Sequence, residues 1–313
     1  MNKLYSKIIS TGSYLPKKIV TNYDLEKLVD TSHEWIFERT GINQRHIADD
    51  NQSSVDMSYN AALKAIDRSS LGAKDIDLII FATTTPEKIF PSSAVLLQNK
   101  LNIKDCFAFD VNAACTGFIY ALDIADMYIK NKNASNVLVI GSEKMSSLVD
   151  WNDRNTCVLF GDGAGAVVLS ASENPGIISS TIGSNGSYKD LLLVNPDSDF
   201  IEMKGNDVFK IAVNTMGKLA QETLASNKLT IDDIDWLIPH QANSRIINAI
   251  AKKLSLPVDK IIMTVGEHGN TSAASIPLAM DNAFVKGSLK NNDTILLEAF
   301  GAGFTWGSML LKF

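Results

Sequence analysis

Lys74-Asp75-Ile76-Asp77-Leu78-Ile79-Ile80 returns later in the chain as Asp232-Asp233-Ile234-Asp235-Trp236-Leu237-Ile238, the two Asp-Ile-Asp cores lying 158 positions apart. Three further matches follow in the same order. Lys100-Leu101-Asn102-Ile103 resembles Lys253-Leu254-Ser255-Leu256 at an offset of 153, and Cys115-Thr116 falls opposite Asn270-Thr271 at 155. Phe160-Gly161-Asp162-Gly163 and Phe300-Gly301-Ala302-Gly303 each open a closing strand-like run, 140 positions apart. Ordered matches at slowly drifting offsets indicate a duplicated half. Each half reads as helix, strand, helix, strand, a buried helix entered at a special residue, then two closing strands. That alternation predicts layered α/β structure with buried sheets. The pattern breaks at Ser172-Glu173-Asn174-Pro175-Gly176, which places the join near residue 172 and the halves at 1–172 and 173–313. No Pro/Ser-rich linker separates them, so a shared interface is expected.

Composition narrows the function classes. Hydrophobic residues make up 45% of the 313 and charged residues 20%, enough apolar material for a large core. The net charge of −6 disfavours nucleic acid as a partner, and an anionic substrate would need a local basic patch. Cys106, Cys115 and Cys157 lack paired spacing, which argues against a disulfide framework and a metal site; Cys106 and Cys157 read as core residues in strand-like runs. Lys3 and Lys7 precede no apolar segment of the secretory kind, and no run approaches the ~18 apolar residues of a membrane span. A reduced, cytoplasmic protein that binds no membrane is the expectation.

Against that background three residues stand out. Cys115, in Asn112-Ala113-Ala114-Cys115-Thr116-Gly117-Phe118, sits where the strand-like Phe107–Val111 gives way to an apolar helix. A thiol at a helix N-terminus is expected to lean towards thiolate. His240 follows the strand-like Trp236-Leu237-Ile238-Pro239 and precedes the helical Ser244–Ala251, so it can present a ring nitrogen to a cleft. Asn270, in Glu267-His268-Gly269-Asn270-Thr271-Ser272, enters a second apolar helix; it suits a helix cap, and serves as an active-site amide only if its side chain points outwards. His46 and His268 read as structural and His33 as a surface residue. The glycine-rich stretches lack the spacing and the Lys-Ser/Thr of phosphate loops, and close approach of backbone to a reacting group, with amides forming an oxyanion hole, explains them better.

Taken in order, Gly12-Ser13-Tyr14-Leu15-Pro16, Trp35 to Ile42, Cys115, Phe160 to Ala166, Pro239-His240-Gln241-Ala242-Asn243, His268 to Ser272 and Phe304-Thr305-Trp306-Gly307 resemble the β-ketoacyl-[acyl-carrier-protein] synthase III family, over essentially the whole chain. The resemblance implies a thiolase-like fold, two duplicated α/β halves packed as a five-layered αβαβα sandwich. It implies a Cys115–His240–Asn270 triad that forms an acyl-enzyme from acyl-CoA and condenses it with malonyl-acyl carrier protein after decarboxylation. The N–H groups of Cys115 and Ala302 would form the oxyanion hole. Trp35 and Arg154 would sandwich the adenine of CoA, Arg39 would meet its phosphates, and Gly205, Asn206 and Phe209 would line the pantetheine tunnel and acyl pocket. Phe90 would reach the pocket of the other subunit of a homodimer, and Lys210, Arg245, Lys252 and Lys253 would receive the acidic carrier protein. CoA enters as substrate, and no cofactor or metal is implied.

The chain departs from relatives at Ala302, at Thr116 and in the stretch 186–203, which bears on primer length and leaves the chemistry in place. Two enzymatic alternatives are a papain-like hydrolase, whose local cysteine signature is missing, and a specialised ketoacyl synthase or acyltransferase of secondary metabolism. A catalytically dead partner subunit is the non-enzymatic alternative, and the presence of all three reactive residues opposes it.

Overall fold

The computed structural model describes residues 4–195 and 197–313. Lys3, and Pro196 within the 186–203 stretch, lie outside the described residues. The chain begins with β1 (Tyr5–Tyr14), then a hairpin of β2 (Lys18–Thr21) and β3 (Gln44–Ile47) whose connection carries α1 (Asn22–Leu25) and α2 (His33–Thr40). It continues through α3 (Ser54–Arg68), β4 (Leu78–Ala82), α4 (Ser93–Lys100), β5 (Phe107–Val111), α5 (Gly117–Lys130), β6 (Asn136–Lys144) and β7 (Asp162–Ser172). The remainder comprises β8 (Ile177–Ser184), the small ribbon β9 (Leu192–Val194) and β10 (Ile201–Met203), then α6 (Gly205–Ser226), β11 (Trp236–Pro239) and α7 (Ser244–Leu254). It closes with α8 (Val265–His268), α9 (Ser275–Val285), β12 (Thr294–Gly301) and β13 (Thr305–Lys312).

Besides the two-stranded pairs, two larger sheets result, ordered β1-β7-β6-β4-β5 and β8-β13-β12-β11. Their facing sides and the helices α5 and α9 form one apolar layer around Phe118, Leu122, Ile276, Met280, Val139 and Leu297. The outer side of the first sheet is covered by α3 and α4 through Met57, Ala61, Ile66 and Leu97. The outer side of the second is covered by α6 and α7 through Met216, Ala220, Ile247 and Ile250. Helix, sheet, helix, sheet, helix: the expected five layers.

The repeated Asp-Ile-Asp has a physical explanation. Asp75 and Asp233 each cap a short 3-10 turn, accepting from Gly72 N (2.8 Å) and Thr230 N (2.7 Å). Ile76 and Ile234 are fully buried. Asp77 accepts from Asn136 N (2.9 Å) and Asp235 from Thr294 N (2.8 Å), so each ties the start of one strand to its parallel neighbour. An aspartate is favoured where a buried amide would otherwise lack an acceptor, and the motif is preserved because both halves meet the same need.

Three features differ from the sequence reading. Each half opens with a strand, β1 or β8, that pairs antiparallel with a closing strand. The second half lacks a full counterpart of β5; a single parallel bridge, Leu237 to Ile261, stands in its place after Pro257. The equivalence around Cys115 also shifts. The 3-10 turns Ala114–Thr116 and Ser272–Ala274 lie at the offset of 158, as do the starts of α5 and α9. Cys115 is therefore opposite Ala273, and Asn270 is opposite Asn112, not Cys115. The three-residue slip, from 155 to 158, arises where the second half carries α8.

The two turns are alike in strain. Ala114 has φ 48° and Ser272 φ 49°, left-handed values that cost a residue with a Cβ of order 1 kcal/mol or more. Asn112 and Asn270 support them, accepting from Ala114 N (3.3 Å) and Ser272 N (2.9 Å). Each turn rests on the other half's sheet. A Cβ on Gly141 of β6 would lie 2.3 Å from the Ala273 carbonyl, and one on Gly301 of β12 would lie 2.9 Å from Cys115 N. The closing strands repeat the device, with Gly165 against Pro277 and Gly307 against Ile119. Gly141→Ala is expected to push Ser272–Ala274 off the sheet at a cost of about 1–3 kcal/mol, read as a lowered thermal midpoint together with slower alkylation of Cys115.

Candidate active site

Both elbows and the end of β11 open on one cavity of about 800 Å³. Cys115, His240 and Asn270 all line it, together with Thr84, Asn112, Ser272, Phe300 and Ala302. The sequence assigned these three residues to reactive positions, and the fold brings them to a common space.

Asn270 is buried, and its orientation follows from its hydrogen bonds. Its backbone is held on both sides, N–H to Leu159 O (2.9 Å) and carbonyl from Gly161 N (3.0 Å). Oδ1 accepts the Ser272 N–H, which leaves Nδ2 as the group available to the cavity. The residue is thus a turn support and a cavity donor at once, which the sequence reading required of an outward-pointing side chain.

His240 is buried at the end of β11, its N–H donating to Glu298 O (2.7 Å). Nδ1 lies 2.7 Å from Ser275 Oγ, which also accepts from Gln241 N (3.3 Å). With the Ser275 hydroxyl donating to Nδ1, the ring proton sits on Nε2. Burial pushes the imidazole down to about 3, so it works as a neutral donor or acceptor and carries no charge near neutrality. His268 behaves as the expected structural histidine, buried at the edge of His46 and held down to about 4 by burial. His33 is half-buried in an aromatic stack between Tyr23 and Phe37, so it is more than a surface residue.

Cys115 corrects the expectation of a ready thiolate. Part of the residue opens on the cavity, yet burial pushes the thiol up to about 11, and the nearby Glu143 carboxylate adds to the rise. The Ser272 hydroxyl and the cysteine's own N–H act in the opposite direction and do not prevail. A helix N-terminus is worth at most about 2 kcal/mol, less than the desolvation of a sulfur anion at this site. Cys106 and Cys157 are likewise pushed up to about 11; Cys157 is buried in a turn and not in a strand. The Cys115 N–H lies in the first turn of a helical segment, where no intrahelical acceptor exists, and Ala302 is in the turn after β12 beside it.

Two polar groups escaped the sequence reading. Ser272, on the turn packed against that of Cys115, lines the same cavity and donates to Glu143 Oε1 (3.1 Å). Glu143, fully buried near the end of β6, also accepts from the hydroxyls of Thr83 (3.1 Å) and Thr85 (2.7 Å) and from Thr84 N (3.0 Å). The available signal was the run Thr83-Thr84-Thr85 after a strand with a lone Glu in another apolar strand, which is too common to single out. Among the described residues no three His, Cys, Asp or Glu side chains gather as metal ligands.

Comparison with known proteins bears on this arrangement. The model for 3-oxoacyl-[acyl-carrier-protein] synthase III matches residues 109–186, and the model for the C-terminal part of such synthases matches 224–313. The chain is 53% identical to β-ketoacyl-[acyl-carrier-protein] synthase III of Thioalkalivibrio sulfidiphilus and 54% identical to that of Methylococcus capsulatus, each over 99% of both chains. The crystal structure of 3-oxoacyl-[acyl-carrier-protein] synthase III from Aquifex aeolicus superposes with a TM-score of 0.96 at 50% identity, covering 98% of this chain and all of that one. This chain belongs to the β-ketoacyl-[acyl-carrier-protein] synthase III family. It has the thiolase-like fold and is a condensing acyltransferase.

The remaining positions assigned from resemblance to this synthase family fall as follows. Trp35 and Arg39, on α2, line the cavity mouth, with the Arg39 guanidinium 4.5 Å from the Trp35 ring centre. Arg154 stands 5.1 Å from the same ring and donates to the Asp30 carbonyl (2.8 Å), outside the cavity lining. Gly205, Asn206 and Phe209, at the start of α6, line the cavity. Arg245 lies over Phe209 at 5.7 Å, and Lys210, Lys252 and Lys253 are exposed on the same two helices, Lys253 reaching Asn214. Phe90 is 83% exposed and lies away from the cavity of its own chain. No helix among the described residues is long and apolar enough to cross a membrane.

The raised thiol makes a kinetic prediction. Alkylation of Cys115 by iodoacetamide should rise about tenfold per pH unit between pH 7 and 9 with no plateau. A plateau near neutrality, followed by mass spectrometry of the modified peptide, would show a preformed thiolate instead.

Proposed function

We propose that the enzyme transfers the acyl group of a short acyl-CoA to Cys115 and condenses it with malonyl-acyl carrier protein, releasing carbon dioxide and CoA and giving 3-oxoacyl-acyl carrier protein. The observation that carries this reading is the convergence on one cavity of the Cys115 thiol, the uncharged His240 imidazole and the Asn270 amide. Thiol attack on the CoA thioester builds negative charge on the carbonyl oxygen, which the N–H groups of Cys115 and Ala302 would receive. Loss of carbon dioxide from the malonyl group builds an enolate, and a thioester oxygen between His240 and Asn270 would be stabilised by both. A carboxylate at position 270 would repel that charge, whereas the amide attracts it. The enolate carbon then attacks the acyl group on Cys115. The reading needs no cofactor, since CoA is itself the carrier of the substrate.

The surroundings suit these substrates. Trp35, with the Arg39 and Arg154 guanidinium groups 4.5 and 5.1 Å from its ring centre, offers an aromatic surface for a purine, and Arg39 offers charge for phosphates. Leu192, Ile201, Ala212 and Met216 give the cavity an apolar wall for pantetheine and a short acyl chain. Lys210, Arg245, Lys252 and Lys253 supply a local positive surface on a chain of net charge −6, where an acidic carrier protein would dock. Ile89, Phe90 and Phe107 of the edge strand β5, 95%, 83% and 60% exposed, are apolar surface that a homodimer would cover, with Phe90 then reaching the partner's cavity. An absence of paired cysteines accords with a cytoplasmic setting.

Intact-protein mass spectrometry after mixing with a panel of acyl-CoAs tests the reading. The wild type should gain one acyl group, whose identity names the primer, and Cys115→Ala none. Asn270→Ala should still be acylated while condensation falls by about 10²–10³-fold, the loss typical of one oxyanion donor. No adduct from any acyl-CoA would overturn the proposal.

A further inference from the structure

Resting on that acyl-transfer reading, we propose that Glu143, through the hydroxyl of Ser272, takes up the thiol proton of Cys115 as the sulfur attacks and returns it when condensation frees the sulfur. Neither residue has a place in the triad. The elbows that carry Cys115 and Ser272 pack against each other, both residues line the cavity, and the Ser272 hydroxyl donates to Glu143 Oε1 (3.1 Å). Its backbone is left-handed, φ 49°, a strained conformation of the kind that persists where the surroundings fix it.

Glu143 is built as an acceptor. Every group that hydrogen-bonds its carboxyl is a donor: the hydroxyls of Thr83, Thr84, Thr85 and Ser272, and the Thr84 N–H. These favour the anion, while complete burial raises its proton affinity above that of an exposed glutamate. A carboxyl ringed by donors, with its proton affinity raised by burial, is suited to accept a proton. No cation hydrogen-bonds it among the described residues. Lys144, next on β6, directs its ammonium to the carbonyls of Asp49 and Asp50 (2.9 and 3.0 Å). Asp162, opposite Lys144 on β7, is taken up by Ser146 and Ala48, and Asp56 of α3 is paired with Lys100. His240, which lines the same cavity, is neutral and engaged with Ser275.

The steps balance. As Cys115 sulfur bonds to the acyl carbon, its proton passes to Ser272 Oγ while the Ser272 proton passes to Glu143. The carbon–sulfur bond to CoA breaks with its electron pair, and the CoA thiolate takes one proton from solvent. In the second half-reaction the carbon–carboxylate bond breaks, its electron pair forms the bond to the acyl carbon, and the bond to Cys115 breaks with the pair returning to sulfur. Glu143 then gives its proton back to Ser272, and Ser272 gives one to the sulfur. Ser272 ends as it began, and the single solvent proton leaves with CoA.

Glu143→Gln, Glu143→Asp and Ser272→Ala are compared with wild type in two measurements: burst release of CoA at pH 7, and the pH profile of iodoacetamide alkylation of Cys115. Removing the neighbouring negative charge lowers the thiol's proton affinity, so Glu143→Gln should move the alkylation profile to lower pH. The same variant should lose acylation at pH 7 by about 10²-fold or more and regain it as pH rises. Glu143→Asp should retain most of the burst. Ser272→Ala should lose the burst without the downward shift in alkylation. A merely structural Glu143 would move both readouts the same way, and that result, an unshifted alkylation profile, or a wild-type burst in Glu143→Gln would overturn the proposal. If wild type released no CoA from any acyl-CoA, the acyl-transfer reading would fall, and the alkylation profiles would still judge the coupling of Glu143 to Cys115.

Discussion

Each strained elbow of the molecule lies on the strand end of the opposite half, and the active site exists because of that exchange. Ala273 could not approach β6 if Gly141 carried a side chain, nor Cys115 approach β12 if Gly301 did. Neither half alone contains a usable set of groups. The thiol comes from the first elbow, the amide from the second, and the imidazole from the end of β11 in the second sheet. The layer of α5 and α9 between the sheets is therefore both the largest apolar core and the platform that fixes the reacting atoms. Close packing of this kind tolerates little displacement, so the core and the chemistry cannot be varied independently.

Duplication also explains how two similar elbows came to do different work. At the offset of 158, Glu143 at the end of β6 corresponds to Gly301 at the end of β12. One position holds a buried carboxylate beneath the second elbow. The other holds no side chain, so backbone amides crowd around the sulfur. A carboxylate at both places would repel the oxyanion, and a glycine at both would leave the thiol proton without an acceptor. The neutral His240 and the amide of Asn270 follow the same logic: in a dry cavity, donors without charge stabilise a developing anion and cost less to desolvate than ions.

The sequence disclosed the layers, the duplication and the three reactive residues because each leaves a local mark. Apolar runs end at Cys115 and His240, and the Asp-Ile-Asp repeat records a capping and strand-tying need shared by both halves. It misplaced what depends on distance. Pairing Cys115 with Asn270 at an offset of 155 was natural when the α8 insertion could not be seen, yet the backbone angles of Ala114 and Ser272 show the true register. The thiolate expectation failed for a related reason. A helix N-terminus can be read locally, whereas the burial that outweighs it comes from walls contributed by distant segments, and the Glu143 charge adds to it. Leading strands β1 and β8 went unread because their pairing partners lie more than a hundred residues away in sequence.

Those distant walls have an order of their own. Both halves insert chain between the first strand and the first long helix. The first insertion carries β2, β3 and α2, and the second carries β9 and β10. They meet across the cavity: Trp35, Arg39 and Thr40 on one side, Leu192, Val194 and Ile201 on the other, joined by an apolar cluster that includes Ile36, Met145 and Leu192. The duplicated framework thus holds the groups that make and break bonds, while two insertions at matching points shape what reaches them. Changes in the 186–203 stretch can alter the acyl wall without touching either elbow, so primer choice is free to drift on a framework whose chemistry is held by packing.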